Sequence, residues 1–227
     1  MQERPVLILG GGINGAALAR ELVLNGIGVW LVDTNDLAFG ATAYSSRLIH
    51  GGLRYLEFGE FSLVKESLHE RARLLKLAPH LVKPLRLFIP VRNRFGGLLQ
   101  SAGKFLGLPL GGKQPVHRGQ FVVRMGLLMY DLYSWGGGLP SRSLHRLDEH
   151  GVPHVSPSMA RRMWAYSDAQ IVFPERLVID LLTDARAVAR QAGLDFRVLT
   201  YHEARLQGSD VEIAFKLNSS GALSLKP

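Results

Sequence analysis

The residues with the clearest chemical purpose lie near the N-terminus. Gly10-Gly11-Gly12-Ile13-Asn14-Gly15 is followed, 18 positions after Gly15, by Asp33. A Gly-x-Gly-x-x-Gly run has a defined use when it joins a strand to a helix, and both flanks read that way here. Gly10 then permits the tight turn, Gly12 lets the backbone approach a pyrophosphate, and Gly15 lets the helix pack on the strands. The helix that follows, from Asn14, has an N-terminus that offers free N–H groups and partial positive charge to phosphates. Asp33 is placed to accept the ribose hydroxyls of an adenosine half and to repel a 2′-phosphate, which disfavours NADP. NAD and FAD both satisfy this motif.

A second concentration of polar chemistry runs from Thr42 through Ser45, Ser46, Arg47, Leu48 and His50 to Gly51, Gly52, Arg54 and Tyr55. Hydroxyls and backbone amides can hold a pyrophosphate, and a glycine pair allows backbone to approach a flat ring. Arg54 can grip a phosphate or carboxylate bidentately. His50 is a candidate acid, base or polarising group. The other seven histidines have no comparable neighbours and read as structural or surface residues. No set of His, Asp and Glu has metal-ligand spacing on a helix face, so no metal site is expected. There is no Gly-x-Ser-x-Gly elbow for a serine nucleophile.

The elements that must position these residues follow from periodicity. Val6–Leu9 and Val29–Val32 are short apolar runs suited to buried parallel strands. Asn14 to Asn25 reads as a helix rich in small residues, stopped by Gly26. Residues 37–55 read mostly as loop. Phe61, Val64, Leu68, Ala72 and Leu75 predict an amphipathic helix over Ser62–Ala78, ended by Pro79. Leu85–Val91 reads as a strand, Leu98–Leu106 and Val122–Ser134 as helices, and Glu175–Gln191 as a long amphipathic helix. Phe196–Leu199 and Val211–Leu217 read as strands, with Ala222–Leu225 as a last hairpin strand. The fold class is α/β.

Composition narrows the classes further. With 47% hydrophobic and 20% charged residues the chain can bury a sizeable core. It has no cysteine, which excludes disulfides, thiolate metal sites, iron–sulfur clusters and a Cys nucleophile from its own residues. No apolar run is long enough for a transmembrane helix, and the N-terminus lacks the pattern of a signal peptide. A cytoplasmic location is expected, or a peripheral one on the inner face of the cell membrane. The net charge of +8 is concentrated: residues 91–146 hold eight basic side chains and one acidic one. Interleaved with apolar residues and glycines, this segment reads as a solvated loop or as a surface for anionic lipid. No base-reading motif accompanies it, so nucleic acid is not an expected partner.

Together the two motifs resemble the FAD-dependent, quinone-linked glycerol-3-phosphate dehydrogenases. The resemblance rests on Gly10–Gly15, on Asp36-Leu37, and above all on Ser45-Ser46-Arg47-Leu48-Ile49-His50-Gly51-Gly52-Leu53-Arg54-Tyr55-Leu56-Glu57. Further matches run over Glu66–Leu75, Ala78–Leu81, Gly126–Asp131, Tyr166–Asp168 and Arg176-Leu177. The resemblance implies a Rossmann-like FAD-binding domain of the glutathione-reductase type with part of a β-sheet substrate domain. It implies a division into 1–82 (FAD-binding core and flavin loop), 83–165 (start of the substrate domain) and 166–227 (return to the FAD-binding domain). It implies hydride transfer from C2 of glycerol 3-phosphate to flavin N5, and electrons passed to a membrane quinone. By position, Gly10, Gly12, Ile13, Asn14, Gly15 and Asp33 would hold the ADP half of FAD. Thr42, Ser45, Ser46 and Leu48 would line the pyrophosphate and flavin side. His50, Gly51 and Gly52 would lie near the isoalloxazine, and Arg54 and Tyr55 would face the substrate, making His50, Arg54 and Tyr55 the catalytic candidates.

Family members continue well past the length of this chain, so a truncated product, a fragment, or half of a split enzyme with a partner chain is expected, its open sheet edges lowering solubility. Three other readings stand beside this one: a related flavin oxidoreductase acting on another hydroxy acid or an amine, a non-catalytic remnant, and an NAD dehydrogenase. The Ser45–Tyr55 string argues against the last. If the basic segment meets lipid, replacing Arg92, Arg94, Lys104 and Lys113 together with Gln should reduce co-sedimentation with anionic vesicles. Unchanged sedimentation would favour the solvated loop.

Overall fold

The apolar run at the N-terminus forms a strand, β1 (Val6–Leu9), in the computed structural model of the chain, which describes residues 4–92, 120–134, 137–207 and 210–216. The expected order follows at once, with α1 (Ile13–Leu24) and β2 (Val29–Asp33). β1 and β2 pair in parallel, Val6 opposite Val29 and Leu9 opposite Val32. The third strand of this sheet comes from far along the chain: β7 (Phe196–Thr200) lies parallel to β2 on its other side, from Val29 opposite Phe196 to Asp33 opposite Thr200. Gly26, at φ +78°, takes the left-handed turn that ends α1.

Central strand β2 is apolar on both faces because both faces are covered. Against one face pack α1 and the long helix α4 (Pro174–Ala192), through Ile8, Ala16, Ala19, Val23, Leu31, Val178, Leu182 and Ala189. Alanines at 16 and 19 allow close approach of the helix backbone. Helix α4 starts with Pro at its first position and stops at Gly193, at φ +67°. On the other face Trp30 and Val32 pack against Ile213, which belongs to a hairpin of β8 (His202–Gln207) and β9 (Asp210–Phe215). The sequence suggested β9 but not β8.

The chain divides into two units, Met1–Arg47 with Phe173–Pro227, and Leu48–Val172. The sequence suggested boundaries at 82/83 and 165/166. The first falls earlier because α2 (Phe61–Leu77) packs on the sheet of the second unit, and the second falls later because the strand Arg162–Ile171 of that sheet runs unbroken across it. That sheet is built around β6 (Arg162–Ile171). On one side β6 pairs with β4 (Val82–Val91), and on the other with β3 (Leu48–Ile49) and β5 (Ser143–Arg146), all antiparallel. β4 begins three residues earlier than Leu85, and Pro84 and Pro90 lie within it. Both are tolerated because, among the described residues, β4 pairs only with β6.

Helices α2 and α3 (Gln120–Tyr133) cover one face of this sheet, burying Val64, Leu68, Val123, Leu127 and Tyr130 with Val91 and Trp164. A short 3-10 turn over Leu53–Phe58 connects β3 to α2. The helix expected at Leu98–Leu106, most of the basic segment and the strand expected at Ala222–Leu225 lie outside the described residues.

Within this second core sits a fully buried ion pair. Arg71 Nη1 donates to Asp168 Oδ1 at 2.6 Å, and each side chain is about 1% exposed. Tyr130 donates its hydroxyl proton to the same oxygen at 2.6 Å, and Arg71 also donates to the Ser167 carbonyl at 3.1 Å. Burial, and then the Asp168 charge beside it, push the Tyr130 hydroxyl far above its ordinary range, so it stays protonated. The same two causes push Tyr166 up to about 12.

Removing one partner of a buried pair strands the other charge. Asp168→Ala should therefore cost about 3–5 kcal/mol of stability. Arg20→Ala, which breaks the partly exposed Arg20–Asp184 pair between α1 and α4, should cost under about 1 kcal/mol. Denaturant titration of both variants checks the contrast.

Candidate dinucleotide site

The glycine turn is the shortest route from β1 into α1, and its backbone explains the spacing. Gly10 takes φ +111°, where a side chain would be strained. A Cβ on Gly15 would overlap the Gly10 carbonyl oxygen, so the first turn of α1 lies directly on the end of β1. Beside Gly12 a Cβ would meet only Thr42 Oγ1, at 3.2 Å.

Helix α1 carries no acid in its first turn and no side-chain cap on its first residue. Its first donor to be satisfied is Ile13 N–H, which reaches across to Thr42 Oγ1 at 3.1 Å. Thr42, 8% exposed, thus acts as a cap supplied by a distant loop. The N–H groups of Gly12, Asn14 and Gly15 have no partner among the described residues. Three free amides at the positive end of a helix form a donor set for an anion.

Asp33 closes the other end of this turn. Its Oδ2 accepts Gly11 N–H at 2.7 Å and its Oδ1 accepts Asn35 N–H at 2.7 Å. Each oxygen keeps a further lone pair for a hydroxyl donor. The carboxylate therefore fixes the glycine turn and still has acceptor capacity. Ser45 and Ser46 are exposed, and Ser45 Oγ accepts Arg47 N–H at 3.3 Å. Arg47 itself has φ +58° and contacts Glu175 Oε1 at 3.4 Å.

The remaining candidates belong to the second unit. Leu48 starts β3, opposite Gln170. His50 Nδ1 accepts Gly52 N–H at 2.9 Å, and Gly51 N–H donates to the Tyr130 hydroxyl at 2.9 Å. Both glycine amides are therefore used internally and are not free to grip a phosphate. Local packing also explains the glycine pair. A Cβ on Gly51 would collide with Leu68 and lie 2.8 Å from the Tyr130 oxygen. At Gly52, φ is +64° and a Cβ would strike the Tyr55 ring. Tyr55 is 47% exposed, and the Arg54 side chain lies outside the described residues. Among the described residues no cluster of His, Asp and Glu is arranged to hold a metal ion, and no helix is long and apolar enough to cross a membrane.

Residues 5–205 match the family described as DAO, FAD dependent oxidoreductase. The chain belongs to this family. It is 35% identical over 193 residues to glycerol-3-phosphate dehydrogenase of Synechocystis, covering 80% of this chain and 29% of that protein. It is 38% identical over 189 residues to D-erythritol 1-phosphate dehydrogenase of Brucella abortus, covering 82% and 31%. The crystal structure of the Bacillus halodurans glycerol-3-phosphate dehydrogenase, complexed with FAD, shares the fold. The TM-score is 0.52 at 19% identity, over 96% of this chain and 32% of that one. The chain thus spans about a third of the length of the relatives it matches.

For a DAO-family chain, the sequence located the glycine turn and its acid but assigned no role to Arg71, Tyr130 or Asp168. All three lay inside matched strings, yet nothing in their spacing showed that they meet. The available signal was Arg71 itself, which falls with Val64 and Leu68 on the buried face of α2.

Thr42→Val should remove the acceptor for Ile13 N–H and lower thermal stability by about 1 kcal/mol, the usual worth of a helix cap. Thr42→Ser keeps the oxygen and should leave the melting temperature nearly unchanged. Calorimetry of the two variants decides.

Proposed function

We propose that this chain holds FAD and contributes the cofactor-binding part of a dehydrogenase for a small phosphorylated polyol, glycerol 3-phosphate in the first place. The observation that carries the reading is the β1–turn–α1–β2 unit ending in Asp33. Its three free amides suit the pyrophosphate, and the spare lone pairs of Asp33 suit the adenosine ribose hydroxyls. Membership of an FAD-dependent family and the names of the similar proteins support the choice of FAD over NAD.

FAD, when bound, supplies the acceptor for a hydride from the carbinol carbon. The chain's own residues then have distinct tasks. Gly12, Asn14 and Gly15 hold negative charge at the helix end, with Thr42 fixing the first turn. Ser45, Ser46 and Leu48 follow on the pyrophosphate and flavin side. His50, with Gly51 and Gly52, lies toward the ring. In the neutral imidazole, Nδ1 accepts Gly52 N–H, so the proton is on Nε2. His50 in that state is a hydrogen-bond donor and not a proton acceptor at Nε2. Arg54 and Tyr55 face the substrate, where a guanidinium suits a phosphate.

We place the electron acceptor in the membrane, as a quinone, and assign lipid contact to the basic apolar segment within 91–146, supported by its eight basic residues against one acidic. A partner chain or further sequence supplies the rest of the substrate site. Identity to the erythritol 1-phosphate enzyme favours a second reading of the substrate as another polyol phosphate.

The test is the visible absorbance spectrum of the purified chain with FAD, and then with glycerol 3-phosphate or erythritol 1-phosphate. The expected result is a bound, structured flavin band. Bleaching by one substrate identifies it and shows that these residues suffice for the chemistry. A bound band that neither substrate bleaches assigns catalysis to residues outside this chain. A colourless protein that FAD does not restore overturns the proposal.

A further inference from the structure

The buried ion pair of the second unit ends at the flavin-side segment. Gly51 N–H donates to the Tyr130 hydroxyl, the Tyr130 proton goes to Asp168, and Arg71 holds Asp168 from the other side. Every link is buried, and the distances from Gly51 onward are 2.9, 2.6 and 2.6 Å. Ring packing alone does not require a phenol here. The Tyr130 ring already packs edge-on against Tyr166 at 5.7 Å and under the Arg71 guanidinium at 5.6 Å.

What the hydroxyl adds is direction. Its proton is committed to a carboxylate, so its lone pair faces the Gly51 amide as an obligatory acceptor. That fixes the plane of the His50–Gly51 peptide. With that plane fixed, the next peptide, Gly51–Gly52, presents the Gly52 N–H to His50 Nδ1 at 2.9 Å.

We propose that Tyr130, Asp168 and Arg71 are positioning residues that set the hydrogen-bonding state of His50. The relay holds the Gly51 peptide, Gly52 then occupies Nδ1, and His50 is presented as an Nε2–H donor. The function of that donor rests on the reading of His50–Gly52 as the flavin-side segment. A donor at this place would favour the electron-rich form of a ring or a substrate oxygen bearing developing negative charge. None of the three positioning residues needs to touch either one.

The experiment uses the full chain, labelled with nitrogen-15, in three forms: unaltered, Tyr130→Phe and Tyr166→Phe. Phe at 130 keeps the ring and its packing and removes only the hydroxyl. Tyr166→Phe is the control, since Tyr166 neighbours the same ring and has no bond to Gly51. The readouts are the exchange rate of the Gly51 amide, the nitrogen shifts that report the His50 tautomer, and movement of both signals on addition of FAD.

In Tyr130→Phe the Gly51 amide should exchange about tenfold faster, the size expected for losing one buried hydrogen bond. His50 should shift from the Nε2–H form toward a mixture of tautomers. Tyr166→Phe should leave both unchanged. Unchanged exchange and tautomer in Tyr130→Phe overturn the proposal, and so do equal changes in the control, which would mark a general loosening of the core. If FAD leaves the His50 and Gly51 signals of the unaltered chain unmoved while other residues respond, the flavin-side reading falls. The relay is still judged by exchange and tautomer.

Discussion

A guanidinium and a carboxylate that are both out of reach of water must stay together, and in this protein they lie on different elements. Arg71 comes from helix α2 and Asp168 from the central strand β6. Separating the helix from the sheet would leave two bare charges in an apolar core, so this contact sets where α2 can sit. Tyr130 then ties α3 to the same carboxylate, and the turn at Gly51 is tied to Tyr130. Four segments remote in sequence are thereby referred to one oxygen atom. Apolar contacts alone, through Val64, Leu68 and Leu127, would permit many neighbouring arrangements. The ion pair and its bonds select one of them.

The first unit reaches a similar result by different means. Its turn from strand to helix is so tight that Gly15 rests on the Gly10 carbonyl. Contact of that kind needs an absence of side chains, not an attraction. The Asp33 carboxylate supplies the attraction by holding Gly11, and Thr42 supplies it again at Ile13. The groups that shape the turn are therefore largely distinct from those left free to bind: Gly12, Asn14 and Gly15 keep their donors because Asp33 and Thr42 have satisfied the others.

The part of the fold readable in the sequence was the part governed by short-range rules. β1, α1 and β2 were marked by an apolar run, small residues and a glycine at each end. Helices α2 and α4 had clear periodicity. Strand β6 was hidden because Asp168, on its buried face, breaks the apolar pattern, and its partner Arg71 breaks the pattern of α2 in the same way. Each is intelligible only with the other in view, across nearly a hundred residues of chain. β8 was hidden because only one face of its hairpin meets the core, where β8 adds the small Ala204 beside Ile213 of β9. The candidate site followed the same division. The glycine turn and Asp33 were found by spacing. The glycines at 51 and 52 were singled out for close approach of backbone to a flat ring, and the packing around them is a further reason for their type. Leu68, Tyr130 and Tyr55 leave no room for side chains there, whatever ligand lies nearby.

The pairing of β2 with β7 has a consequence for how the protein is made. β2 is complete by residue 33, yet the strand that covers its open side starts at Phe196. All of the second unit is synthesised in between. At ordinary translation speeds that interval is on the order of ten seconds or more. For that time the ribosome-bound chain carries an apolar strand with an unpaired edge, and the second unit has its own complete sheet to form while it waits. β2, although among the first strands made, thus receives its second partner only after the whole second unit has been synthesised.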